Sequence, residues 1–472
     1  MTAGFAQTRW QPYHQLVTGS DTALEVNENE GHSSAATALG STVVVEVSHN
    51  IDDTSRDLAS VNREQWRAFW AVFLGWLVDA FDFNMLAFIL IDIQKSFTVD
   101  RALAGALGTI TLAMRLLGST GAGVLADRYG RKLPLMLSIL WFSVFAFLSG
   151  FSISYAMLFA LRALFGIGMG GEWAAGMPLV LEHWPARLRG LVSGMLQGGW
   201  YWGYLLAALV FQFVYPLFSA TPDLGWRVML WAAIVPAILA LWVRRRVKES
   251  PVWLERQRLL ASAGAARVVP SRISLVRIFE RDLIGCTVQT TGLIASFMCM
   301  YYAINFWYPT LLRDSGHVTL PYLAAINVGA ILGTAGWGRI SETALGRRGA
   351  VTLSILLASA ALPLYLYARD PWLLAAGALL MGIFGNGVWG MAPAYTAERF
   401  PTAVRGMGPG FCYHAGAAVG ALMPWLVGRL QDRGTPIGTA IGSAMLVSGA
   451  IALAFVWLGP ETRGRVFVAE AS

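Results

Sequence analysis

Apolar runs of about twenty residues follow one another along most of this chain, each long enough to cross hydrocarbon as a helix. Twelve lie near residues 68–92, 103–125, 133–151, 155–180, 191–215, 226–243, 283–309, 319–340, 350–367, 372–396, 407–428 and 437–458. Their apolar residues are continuous rather than alternating, which excludes a closed β-barrel. Only 13% of residues are charged, against about a quarter in soluble proteins. The expected fold class is an all-α polytopic membrane protein.

The chain repeats itself. Gly123 … Asp127 … Gly130-Arg131-Lys132 returns in looser form as Gly338 … Glu342 … Gly346-Arg347-Arg348, with one residue inserted before Gly346. Glu182 … Pro185 … Arg189-Gly190 returns at identical spacing as Glu398 … Pro401 … Arg405-Gly406, and Glu249-Ser-Pro251 is echoed around Pro460-Glu461-Thr462. Two copies of one membrane bundle point to a transporter. The expected domains are a flexible cytoplasmic tail over 1–65, six-helix bundles over 66–243 and 283–459, a linker over 244–282 and a tail over 460–472.

The formal net charge of +7 could suggest a nucleic-acid partner, but its distribution argues against one. Basic residues concentrate in the loops after even-numbered spans, including the run from Arg244 to Arg281. The positive-inside rule then places both termini in the cytoplasm, with the protein in a plasma or bacterial inner membrane. Cys286, Cys299 and Cys412 lie within or beside apolar spans and show neither metal-ligand nor disulfide spacing. No cofactor or metal is expected.

The loop after span two, the Glu-x-x-Pro-x-x-x-Arg-Gly turns and the Pro-Glu-Thr ending resemble the repeats of the major facilitator superfamily. That resemblance implies two pseudo-symmetric six-helix bundles around one midplane cavity, opened alternately to either side. It also implies a gating role for Gly123, Asp127, Gly130, Arg131, Glu182, Arg189, Glu342, Arg347, Glu398 and Arg405, as latches between the bundles on the cytoplasmic side. The inserted residue before Gly346 would alter the second latch. Arg63-Glu-Gln-Trp66, the Asp79-x-x-Asp82 string, Arg115 and Gly168 to Glu172 more closely resemble the sialate:proton symporter family of sialic acid and lactate-type permeases. The Asp-x-x-Asp string is also similar to aromatic-acid symporters.

A charge at bilayer depth costs at least ~2.5–3.5 kcal/mol on insertion scales, so each needs an explanation. Asp79 and Asp82 share one face of span one by their spacing, and either could carry a proton or pair with a buried arginine. Arg115 in span two could grip a substrate carboxylate through two N–H groups, or pair with an acid. Aligning Glu182 with Glu398 sets Glu172 on Val388 and Arg162 on Ala378. Glu172 is thus an addition to one half, available for proton coupling or a structural pair; Arg162 suits gating or a pair. Asn305 and His414 are the polar substrate-binding candidates of the second half, with packing as the plainer role for the histidine. Aromatics around Trp200 and Tyr301–Tyr302 could line a pocket or sit at the membrane interface.

These residues favour proton-coupled import of a small organic anion such as lactate or sialate, by a chain that can function as a monomer. An aromatic-acid symporter and a proton-driven exporter of a drug or metabolite are the alternatives. Span five lacks the Gly-Pro-rich pattern of antiporters, which counts against export. No nucleophile elbow, phosphate loop or metal set points to an enzyme.

Overall fold

The computed structural model describes residues 37–39, 42–45, 58, 61–232, 234, 238, 244–262, 274–467 and 469–471. Among them, eleven helices are long and apolar enough to cross a membrane. Spans one to five are Arg63–Phe97, Leu103–Tyr129, Lys132–Ser149, Tyr155–His183 and Ala186–Phe218. Spans seven to twelve are Ile284–Asp314, Thr319–Ile340, Gly346–Tyr367, Pro371–Arg399, Met407–Asp432 and Ile437–Leu458. Span six starts as Leu224–Ala232; residues 233, 235–237 and 239–243 of its expected length lie outside the described residues.

Helix starts follow from side chains that satisfy the free N–H groups of the first turn. Asn62 accepts from Glu64 and Gln65 N–H, both at 2.9 Å, and Gln65 Oε1 accepts from Asn62 N–H at 2.7 Å. Asp100 accepts from Leu103 N–H at 2.7 Å at the start of span two, and Ser154 from Met157 N–H at 3.2 Å at the start of span four. Asp370 caps span ten just before Pro371, where a missing N–H costs nothing.

Inside each half, small residues let backbones touch. A Cβ on Gly166 would sit 2.3 Å from Thr111 O, and one on its repeat partner Gly382 would sit 2.1 Å from Ile326 O. The two halves differ here in one respect. Span four is continuous helix, whereas span ten widens at Gly382–Asn386 and tightens at Gly387–Met391. The carbonyls of Ile383 and Phe384 accept instead from Trp337 Nε1 at 3.0 Å and Ser354 Oγ at 2.6 Å. Such breaks persist in lipid only where side chains satisfy the freed groups. Large apolar side chains such as Leu117, Leu332, Val447 and Trp425 remain exposed on the spans' outer faces, as a lipid-facing surface requires.

Short strands Thr37–Leu39, Thr42–Val45 and Ala469–Ala471 form an antiparallel sheet outside the spans. The rest of the expected flexible tail, residues 1–36, 40, 41, 46–57, 59 and 60, lies outside the described residues.

Candidate transport site

The deepest constellation belongs to the first bundle. Asp79, Asp82, Arg115, Arg162 and Glu172 are all buried, none more than 4% exposed. Arg115 lines a cavity between the halves with Trp76, Gln197, Trp200, Tyr301, Tyr302, Trp389 and Tyr413. Its guanidinium carbon lies 5.9 Å from the ring centroids of both Trp76 and Trp200, so two aromatic faces hold the cation. The arginine is fixed from behind: a Cβ on Gly170 of span four would sit 2.0 Å from Arg115 O. Arg115 Nε and Nη2, Gln197 Oε1 and Trp76 Nε1 make no hydrogen bond within the protein. The cavity wall therefore offers donors, an acceptor and flat apolar surface together.

Both carboxylate oxygens of Asp79 are likewise without a hydrogen-bond partner. Arg115, Glu172, Arg244 and Asp82 act on it electrostatically. Asp82 is opposed by Arg162, whose three guanidinium nitrogens also lack hydrogen bonds and whose carbon lies 4.9 Å from the Phe165 ring centroid. Glu172 is ion-paired with Arg244. That contact corrects the placing of Arg244 among the charges of the linker: it is 1% exposed. Its Nε and Nη1 donate to Ala71 O at 3.0 Å and Leu135 O at 3.1 Å.

In the second bundle, Asn305 and Asn386 exchange hydrogen bonds at 3.0 and 3.2 Å, beside the irregular turn of span ten. His414 Nδ1 lies 3.0 Å from Gly410 O. Neither Asn305 nor His414 is among the residues lining the cavity; Tyr413, the neighbour of His414, is. The aromatic alternative resolves toward the pocket for Trp200, Tyr301 and Tyr302, while Trp202 is exposed. Trp76, Gln197, Trp389 and Tyr413 were not singled out as candidates from sequence.

At the end bearing the linker the bundles are joined. Asp127 accepts from Gly406 and Met407 N–H, at 2.8 and 3.0 Å, at the start of span eleven. Its counterpart Glu342 accepts from Gly190 N–H at the start of span five. Each acid thus caps a helix N-terminus of the opposite bundle, where the helix dipole favours negative charge. Within each half the pattern repeats: Arg131 pairs with Asp127 at 2.7 Å and Glu182 at 3.4 Å, and Arg347 with Glu342 and Glu398, both at 2.8 Å. The inserted residue leaves the second cluster intact. Burial pushes the Glu342 carboxyl up, against the opposing pull of Arg347.

Arg405 crosses to Glu182 at 3.1 Å, and Arg131 donates across to Thr402 O at 3.1 Å. Gly130 and Gly346 turn with φ of 96° and 66°, and a Cβ on either would strike Glu249 or Glu461 respectively. A Cβ on Gly123 would come 2.8 Å from Met407 Cα. Arg189 donates to Arg465 O at 2.6 Å. This is a state closed at the linker end.

The family model for the Major Facilitator Superfamily matches residues 72–412. The chain is 33% identical over 405 residues to a probable 4-methylmuconolactone transporter of Cupriavidus pinatubonensis, covering 85% of this chain and 92% of the relative. It is 26% identical to the sialic acid transporter NanX of Escherichia coli, covering 86% and 96%. A proton:xylose symporter, XylE, has the same fold at a TM-score of 0.66 and 18% identity, covering 86% of this chain and 98% of that one. The relatives' names span different acids, so the match identifies the superfamily and not the sialate branch within it. The chain belongs to the major facilitator superfamily, a multi-pass membrane transporter rather than an enzyme.

Proposed function

We propose that this protein imports a small organic acid together with protons by alternating access. The observation that carries the reading is Arg115, set in an aromatic cavity wall with free donors and in electrostatic contact with unpaired Asp79. A carboxylate entering the cavity finds a guanidinium already desolvated and oriented, and its body meets the faces of Trp76 and Trp200. When the anion takes Arg115, Asp79 loses its main attraction to that cation and becomes the acceptor for a proton. Loaded and empty carriers then both balance their buried charge and reorient, while half-loaded ones do not.

The compounds in the relatives' names, a muconolactone for the probable transporter and a sialic acid, combine a carboxylate with an oxygenated ring. With the aromatic wall, they favour a cyclic or unsaturated acid over lactate, which would leave much of that surface uncovered. An aromatic acid is the second reading, supported by the same rings. The positive-inside pattern supports an orientation with the linker and both tails on the cytoplasmic side of a bacterial inner membrane, in which the described state is closed to the cytoplasm. One chain holds the whole cavity, which supports a functional monomer.

The test is uptake of labelled muconolactone, sialate, benzoate and lactate by expressing cells, with and without a protonophore. Saturable uptake abolished by the protonophore is expected. Arg115→Ala should lower uptake at least ~30-fold, since removing one partner of a buried charge contact costs about 2–5 kcal/mol. Arg115→Lys keeps the charge without the planar fork and should recover only part. Normal transport by either variant would remove Arg115 from the substrate site.

A further inference from the structure

We propose that Arg244 is a positioning residue for proton coupling: it holds Glu172 ionised, leaving Asp79 as the exchangeable acid of this cluster. The inference rests on the proton-coupled reading above. Arg244, just past the expected end of span six, reaches Ala71 O of span one, Leu135 O of span three and Glu172 of span four. Ala71, Gly75, Asp79 and Asp82 follow at one-turn spacing along one face of span one. At Gly75 the ion pair lies against the backbone; a Cβ there would come 1.8 Å from Arg244 Nη2 and 2.0 Å from Glu172 Oε1.

The internal repeat separates this pair from the scaffold. The offset that sets Glu182 on Glu398 sets Glu172 on Val388, and the offset that sets Glu249 on Glu461 sets Arg244 on Val456. Both valines are fully buried. The fold is therefore satisfied by two apolar side chains where the first half keeps two charges. A buried pair is no better for stability than apolar groups of like volume, so retaining it only beside Asp79 points to a role in coupling. The charged and titratable groups acting on Asp79 are Asp82 from span one, Arg115 from span two, Glu172 from span four, Arg244 after span six and Tyr413 from span eleven. The buried acids Asp79, Asp82 and Glu172 are matched in number by the cations Arg115, Arg162 and Arg244.

The experiment compares Glu172→Gln, Arg244→Met, the double variant and Arg244→Lys in the full-length protein. Exchange and proton-driven accumulation are measured across a pH series. Losing the anion should move the pH profile of accumulation down by ~1 unit, and losing the cation should move it up by a similar amount. The double variant should restore both accumulation and the wild-type profile, which a mere packing role would not predict. Arg244→Lys keeps the charge with least disturbance and should keep the profile. A double variant that exchanges substrate but no longer accumulates it would make Glu172 the proton carrier and overturn the proposal. So would a displaced profile for Arg244→Lys. Wild-type uptake indifferent to a protonophore would instead sink the proton-coupled reading itself.

A separate set of contacts carries a second inference: the segment from Thr462 to Phe467 is a clasp that stabilises closure at the linker end. Phe467 is 5% exposed and lies between gate arginines of the two bundles, 3.6 Å from Arg189 and 3.9 Å from Arg405 by ring centroid. Arg465 O accepts from Arg189 at 2.6 Å, while Arg465 Nη1 donates to Glu398 O at 2.8 Å. One short segment thus ties both halves. Spin labels at Arg187→Cys and Ala344→Cys, in a chain with its native cysteines replaced by serine, would report the distance across this end. Phe467→Ala should increase the open population about fivefold, and Phe467→Trp, which keeps a ring face for both cations, should not. Identical distance distributions for Phe467→Ala and the parent would overturn the clasp.

Discussion

Gly338→Val is expected to abolish uptake while leaving the protein folded and inserted. In the closed state a Cβ on Gly338 would sit 2.2 Å from Gly190 O and 3.2 Å from Gly194 Cα, both on the opposite bundle. A Cβ on Gly194 would meet Thr334 O at 2.1 Å. These are backbone atoms of packed helices and cannot rotate away. Overpacking costs about 1–3 kcal/mol even where side chains can yield, and here only separation of the bundles gives relief. A penalty above ~3 kcal/mol lowers the closed population about two orders of magnitude. Each bundle keeps its own contacts, so stability should change little. Gly336 is the control: nothing lies within 4 Å of a Cβ there, and Gly336→Ala should transport normally. The measurements are uptake and thiol accessibility from each side. Wild-type uptake by Gly338→Val would mean that spans five and eight need not meet during transport.

The architecture was legible because lipid allows so few solutions. Continuous apolar runs can only be helices, and repeated Glu, Pro, Arg and Gly spacings exposed two copies of one unit. The pairing of the charged turn residues was legible for the same reason: Arg131 and Glu182, like Arg347 and Glu398, occupy equivalent places and meet in the same way. The depth of Asp79, Asp82 and Arg115 could be placed by counting along a span. Which groups they face could not, since that depends on helix rotation and tilt.

Arg244 shows where sequence reasoning stopped. In the run Arg244-Arg245-Arg246 only the first residue is helical and the chain then turns, so Arg244 is buried in the bundle while Arg245 and Arg246 are exposed. Position at a helix end made all three look like topology signals. The missing cue was relational. Glu172 replaces an apolar residue of the other repeat, and Arg244 does the same opposite Val456. Two compensating departures from the repeat are the signature of a pair. Trp389 and Tyr413 were hidden differently, since one apolar aromatic among many carries no sign of the face it occupies. Gln197, polar within span five, did carry such a signal.

Asp79→Asn should separate proton coupling from substrate movement. The amide matches the carboxylate in shape and imitates its protonated, neutral form, and neither Asp79 oxygen has a hydrogen bond to lose. Arg115 remains in place to take the substrate carboxylate. The loaded carrier is then neutral without a proton, so exchange of labelled for unlabelled acid should persist. The empty carrier keeps an uncompensated guanidinium at membrane depth, which costs at least ~2.5–3.5 kcal/mol. Its return should slow roughly 70- to 400-fold by that amount, and accumulation driven by a pH gradient should disappear. Asp82→Asn makes the contrast, because Asp82 faces Arg162 rather than Arg115. It should weaken transport while leaving accumulation tied to the gradient. Counterflow and gradient-driven uptake in vesicles would tell the two apart. Gradient-driven accumulation by Asp79→Asn would exclude Asp79 as the carrier, and its loss only in Asp82→Asn would move the proton one turn along span one.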